Sequence, residues 1–206
     1  MAKASKRNIA KTIPRVAVDF GCGQTKITTE YLRNNMQVHV DKVVGVDIAK
    51  LPGVDHVHDL TKFPYTFLKD GSVDAIFTSH FFEHLDGPQR AKFMDECYRI
   101  LKPGGRVRHI HPYGWSSRFF QDFTHAMPPL VEASYFYFNK VWRQANKLDH
   151  YPVSCDFVGL QPGTAFSCNY LADADFGLKN PEMQQFMLRH YKDAVNDIVV
   201  DLVKNG

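Results

Sequence analysis

The chain has 206 residues, 44% hydrophobic and 23% charged, with a formal net charge of +3. That length suits one domain with a substantial core, and so small a charge gives no argument for a nucleic-acid surface. No apolar run approaches the ~18–20 residues that span a bilayer, and the basic N-terminus lacks the apolar stretch of a secretory signal. Four cysteines, Cys22, Cys97, Cys155 and Cys168, show no paired spacing, which fits reduced thiols in a cytoplasmic protein.

The first charge cluster is Lys3, Lys6, Arg7, Lys11 and Arg15. Residues 1–13 read as a solvated basic tail or as an arm that steers an anionic substrate. Residues 15–20 form a short apolar run with valines, a buried strand. A glycine turn follows, and residues 25–36 are expected to be helical. Residues 42–48 and 54–59 read as the second and third strands. Residues 73–79 are the fourth, announced by the turn Lys69-Asp-Gly-Ser72. Phe93, Met94, Cys97, Ile100 and Leu101 make one helical face over 88–101, which Lys102-Pro-Gly-Gly105 stops before a fifth strand at 106–110. Strands alternating with helices define a doubly wound α/β sheet.

Beyond Pro112 the pattern is looser. Residues 115–129 read as an irregular loop, 130–147 as a helix, and 157–167 as a strand broken by Gln161-Pro-Gly163. Asn180 and Pro181 are well placed to cap and open a helix reaching about residue 194. Residues 197–204 are β-branched and read as a closing strand. We expect one domain over 1–206, with 113–150 as an insertion on the acceptor side.

Four segments carry the functional signal: Val18-Asp-Phe-Gly-Cys-Gly-Gln24, Val43-Val-Gly-Val-Asp-Ile48, Gly71 to Leu85, and Leu101-Lys-Pro-Gly-Gly-Arg-Val107. Gly21 and Gly23 remove Cβ atoms where the chain must turn against a ligand. Asp47 ends the second strand, where a carboxylate accepts from ribose hydroxyls. The third glycine of G-x-G-x-x-G is missing, which disfavours a dinucleotide, whose pyrophosphate needs the helix end. In this order and spacing the segments resemble the class I S-adenosylmethionine (SAM)-dependent methyltransferases of the small methyltransferase-domain type. They also resemble an uncharacterised bacterial and phage subgroup, through the Ser-Arg and Gln-Asp-x-Thr-His pattern at Ser117 to His125.

The resemblance implies a Rossmann-like, seven-stranded, mostly parallel sheet with an antiparallel C-terminal strand and helices on both faces. It implies SAM as cofactor and S-adenosylhomocysteine as product. Asp19, Phe20, Gly21, Cys22 and Gly23 then form the turn beside the methionine part. Asp47 and Ile48 meet the ribose, Asp59 and Leu60 the adenine, and Ser79 and His80 the methyl-bearing sulfur. Candidate catalytic groups on the acceptor side are His80, Glu83, His84 and His111, with Tyr113, Arg118 and His125 as candidate acceptor contacts. His109 and His111 should share one strand face. Arg118 either pairs with Asp122 or holds an anionic group of the acceptor.

Related methyltransferases acting on small RNAs or quinones hold a divalent cation through Glu-x-x-Glu-His. Here the first acid is His80, and no metal is assigned, although His80, Glu83 and His84 with His111 or His125 offer a set. The expected acceptor is a small molecule or glycan, methylated at oxygen or nitrogen. RNA methylation and a non-catalytic SAM-binding subunit remain the alternatives.

Overall fold

The computed structural model describes residues 13–206; the basic cluster at Lys3, Lys6, Arg7 and Lys11 lies outside them. Strand β1 (Val16–Phe20) is central, with β2 (Lys42–Asp47) parallel on one side and β4 (Val73–Ser79) parallel on the other. β3 (His56–Val57) extends the sheet past β2, and β5 (Leu101–Pro112) lies parallel beyond β4. β8 (Asp197–Lys204) runs antiparallel to β5 and carries on its far side both β6 (Phe157–Val158) and β7 (Ser167–Leu171). The sheet therefore has eight strands, one more than expected. The segment expected as a single broken strand yields two short ones, because the turn at Gln161–Gly163 is followed by a second pairing with β8.

The alternation of side chains along the strands sorts the core into two layers. Ala17, Val43, Ala75 and Phe77 face α1 (Thr29–Met36), through Leu32 and Met36. Val18, Phe20, Val44, Val46 and Ile76 face the other side, where α2 (Gly87–Ile100) lays down Phe93, Met94, Cys97 and Ile100. Each fully buried side chain of this size contributes about 1.5–3 kcal/mol. α2 begins at a capping box formed by Asp86 and Gln89, with Pro88 in its first turn.

Three helices depart from expectation for local reasons. α1 starts at Thr29 and not at 25, because the Thr28 hydroxyl accepts the Tyr31 amide at 3.1 Å and Asp19 holds the Ile27 amide at 2.7 Å. Residues 25–28 thus stay open beside β1. The expected helix over 130–147 splits into a 3₁₀ segment, Glu132–Phe138, and α4 (Lys140–Ala145). Its aromatic run is a poor helix former, and Asn139 restarts the chain by capping the Trp142 amide at 2.8 Å. Short α3 (Ser117–Gln121) lies in the segment read as irregular, α5 (Ala174–Gly177) follows β7, and α6 (Pro181–His190) starts at the Asn180 cap and stops four residues early. No described helix is long and apolar enough to cross a membrane.

Candidate active site at the carboxyl edge of the sheet

The parallel strands β1, β2 and β4 all end at one edge, where open α/β sheets bind ligands. Gly21 leaves β1 with φ +72°, and a Cβ placed on it would sit 2.7 Å from Phe81 Cβ. Only glycine fits so tight a turn. Two cavities meet at this residue. The first, about 550 Å³, is lined by Asp19, Cys22, Thr25–Thr28, Tyr31 and Ser79. The second, about 230 Å³, is lined by Asp47, Ile48, Asp59, Leu60, Phe81, His84 and Leu85. The combined space is of the size used by small-ligand sites, about 300–1,000 Å³.

Backbone amides hold the carboxylates along this edge. Asp47 accepts from Gly23 at 2.9 Å and, through its other oxygen, from Ala49 at 2.9 Å. Asp59 accepts the Thr61 amide at 3.0 Å and its hydroxyl at 2.7 Å, which holds the acid below its usual range. Asp19 is nearly buried, and burial pushes its carboxyl up to about 7 despite the Ile27 amide. Phe20 is fully buried and packs on Tyr65 and Phe93, so it shapes the turn from behind and does not line either cavity. Burial also raises the Cys22 thiol to about 11, which keeps it protonated.

A second cluster forms beyond β4. His80 takes φ +53° and donates its amide to Ile110 at 2.8 Å. Non-glycine residues in this region concentrate at functional sites. Its imidazole lies 3.5 Å from Glu83 Oε1 and 3.9 Å from Asp197 Oδ2, and the Glu83 carboxylate raises its pKa. Glu83 is fully buried on a 3₁₀ turn, Phe82–His84. His125 approaches from the following loop, with Nε2 3.8 Å from Glu83 and 3.7 Å from Asp122. The rings of His84 and His125 stand edge to face at 4.8 Å. Arg90 straps the loop down. Its guanidinium donates to the carbonyls of Glu83, Ala126 and Pro128.

The structure thus brings His80, Glu83, His84 and His125 together, and sets His111 and Tyr113 apart. His109 and His111 do share a face, but it is the buried one. His111 donates Nδ1–H to the Pro112 carbonyl at 2.9 Å and accepts from the Tyr135 hydroxyl at 2.8 Å. Burial lowers its pKa to about 4 and that of His109 to about 3. Tyr113 is buried and its hydroxyl donates to Glu132 at 3.3 Å. Arg118 pairs with Asp197 at 3.3 Å, and not with Asp122 as one sequence reading had it. Of the neighbouring aromatics, Phe119, Tyr135 and Phe138 are core, whereas Phe120 and Phe123 are exposed at the loop.

Asp197 and Arg90 went unnoticed in the sequence. Asp197 had a signal: an antiparallel closing strand begins where β5 ends, so its first residue must lie at the ligand edge, opposite Pro112. Arg90 had none, since it looks like any charged residue of a surface helix.

A Rossmann-like sheet with a glycine turn, strand-end acids and paired cavities defines a nucleoside-binding α/β protein. Residues 18–108 match the family model described as a methyltransferase domain. A ubiquinone biosynthesis O-methyltransferase of Nitrosococcus oceani is 32% identical over 113 residues, covering 49% of this chain and 45% of that protein. A 25S rRNA (adenine(645)-N(1))-methyltransferase of Schizosaccharomyces pombe is 30% identical over 98 residues, covering 44% of this chain and 25% of the relative. The chain thus spans less than half the length of these curated relatives. Among solved structures, a SAM-dependent methyltransferase from Archaeoglobus fulgidus superposes with a TM-score of 0.57 at 18% identity, over 92% of this chain and 86% of that one. Residues 18–108 thus resemble a methyltransferase domain, and the sheet around them has the fold of the SAM-dependent methyltransferases.

SAM fits the residues present. The cradle at Gly21 excludes any side chain. The acid Asp47 stands on the cavity that has apolar walls at Ile48, Leu60 and Phe81, and Asp19 stands on the other. An adenosine half and an aminoacyl half match these two environments.

Proposed function

We propose that the chain transfers a methyl group from SAM to an oxygen or nitrogen of a small-molecule or glycan-type acceptor. The observation that carries this reading is the meeting of the two cavities at Gly21, with the His80–Glu83 cluster following directly on β4. In this reading Asp47 holds the ribose hydroxyls, Asp59 and the Leu60 amide hold the adenine, and Asp19 faces the ammonium of the aminoacyl end. Bound SAM supplies an electrophilic methyl group, and the protein's task is to align the acceptor and take up its proton. Ser79 and His80 border the methyl position. His80, between Glu83 and Asp197, is the group we assign to receive the acceptor's proton. Arg118, anchored by Asp197 and 45% exposed, presents its guanidinium to the acceptor.

A small acceptor is favoured over RNA by the charges around the cluster. Glu83, Asp122 and Asp197 face it, and a phosphate backbone would meet these acids with Arg118 already paired to Asp197 and Arg90 buried beneath Glu83. Calorimetric titration of the chain with SAM tests the cofactor half. Saturable binding that Asp47→Ala removes supports the assignment; equal affinity in the variant rejects it.

A further inference from the structure

Glu83 is fully buried, and neither of its carboxylate oxygens has a hydrogen-bond partner. An ionised carboxylate taken out of water alone costs several kcal/mol, so buried charges are paired or bind metals. The nearest nitrogens, His80 Nδ1 at 3.5 Å and His125 Nε2 at 3.8 Å, lie beyond the 2.7–3.2 Å of an N–H···O bond. They stand close to the spacing of two ligands on one ion. Bonds of about 2.0–2.2 Å in tetrahedral array put ligand atoms roughly 3.3–3.5 Å apart.

The hydrogen-bond network also fixes which nitrogens are free. His125 Nδ1 lies 2.7 Å from the Phe119 carbonyl and must donate to it. The lone pair of the neutral ring is then on Nε2, the nitrogen that faces Glu83 and Asp122. The Thr124 hydroxyl gives its proton to Asp122 at 2.6 Å, so at His84, 3.0 Å away, it can only accept. His84 therefore donates from Nδ1 and keeps its lone pair on Nε2. Metal-binding histidines are oriented in this way, by donating their other ring N–H to a carbonyl or polar oxygen.

We infer that Glu83, His84 and His125 form a binding site for a divalent first-row transition ion, with His80 and Asp122 at its margin. The three side chains each bring a ligand atom to within 4.8 Å of the others, so closure on an ion needs a contraction of up to about 1.5 Å. Two imidazoles and one carboxylate suit Zn, Mn, Fe or Co, whereas Mg prefers all-oxygen sites. The loop that supplies His125 is fixed to the Glu83 turn by Arg90 and by the Ala126 amide, 2.9 Å from the Glu83 carbonyl, so the set is held before an ion arrives. An ion there would stand beside the acceptor and polarise its nucleophilic atom. That role rests on the methyltransferase reading; the binding itself does not.

The test is titration of the chelator-stripped full chain with Co²⁺, followed by its ligand-field absorption, and with Zn²⁺ by calorimetry. Circular dichroism of every variant checks the fold. We expect a single saturable site, weakened at least about tenfold in Glu83→Gln and His125→Asn. His84→Asn, at an exposed position, keeps the fold and should weaken binding as well. Millimolar Mg²⁺ should not displace Co²⁺. Absence of saturable uptake by the folded wild-type chain would overturn the inference, and so would unchanged uptake in folded His84→Asn and His125→Asn. Intact SAM binding alongside either result would leave the methyltransferase reading standing.

Discussion

The two halves of the site differ in how their polar groups are satisfied. On the cofactor side, the carboxylates of Asp19, Asp47 and Asp59 all accept backbone amides, within 24 residues in sequence at most. On the acceptor side, Glu83 and one oxygen of Asp197 are buried with no hydrogen-bond partner, and the groups that meet come from the end of β4, the 115–129 loop and β8. The first half is satisfied by its own backbone. The second holds unbalanced charge in place, as preorganised sites do where a ligand or reacting group completes the set.

The largest effect that would sharpen this contrast is expected at Asp47. Asp47→Ala should weaken SAM binding by more than about 100-fold, since hydrogen bonds to a charged group contribute about 1.5–3 kcal/mol each. Its circular dichroism should not change. Calorimetry decides, and near-normal affinity would break the assignment of the cofactor half. Gly21→Ala should come next. It forces a side chain into a left-handed turn against Phe81, at an expected cost of about 1–3 kcal/mol in a denaturant titration, with SAM affinity falling alongside.

Asp19 should impose a pH dependence. Its carboxyl rises from 3.8 to about 7 because burial disfavours the charge. The folded apo chain thus holds this proton after the unfolded chain has released it. Stability should therefore fall as pH climbs from about 4 to about 7, and Asp19→Asn should flatten that slope. A bound ammonium favours the ionised acid. SAM affinity should then rise with pH, by up to about tenfold per unit, and level off above about pH 7. Affinity that is flat across this range would remove Asp19 from the ammonium.

Glu83 should behave in the opposite way to a structural acid. Glu83→Gln removes a buried carboxylate that has no hydrogen bond, so the melting temperature should hold or rise while methyl transfer falls at least about tenfold. If stability and transfer fell together, Glu83 would be a packing residue. The smallest effect on chemistry is expected from His111→Gln. With both ring nitrogens engaged in the core, its loss should lower stability and leave turnover per folded molecule nearly intact.

This contrast also explains what the sequence made legible. The glycine turn, the acids at the end of β2 and just past β3, and the capped start of α6 are local patterns, because each partner lies on the same or the adjoining element. The order of strands and the antiparallel β8 followed from the same alternation and from the family resemblance. The acceptor half was legible only in part. Glu83 and His84 are neighbours in sequence, but His125 reaches them from 41 and more positions away and Asp197 from more than 100. His109 and His111 show the limit of periodicity. Alternation places both on one face, yet only the packing of Phe82, Phe93 and Tyr135 shows that face to be the core. The split of the 130–147 helix depended on Asn139, whose side chain caps one element while donating to Phe157 of another.

The most direct test of the account is transfer of labelled methyl from SAM by the purified chain into a size-fractionated cell extract. The account predicts label in the small-solute or glycan fraction, abolished by Asp47→Ala and strongly reduced by Glu83→Gln. Label confined to RNA or protein, or no label from a chain that binds SAM, would contradict it.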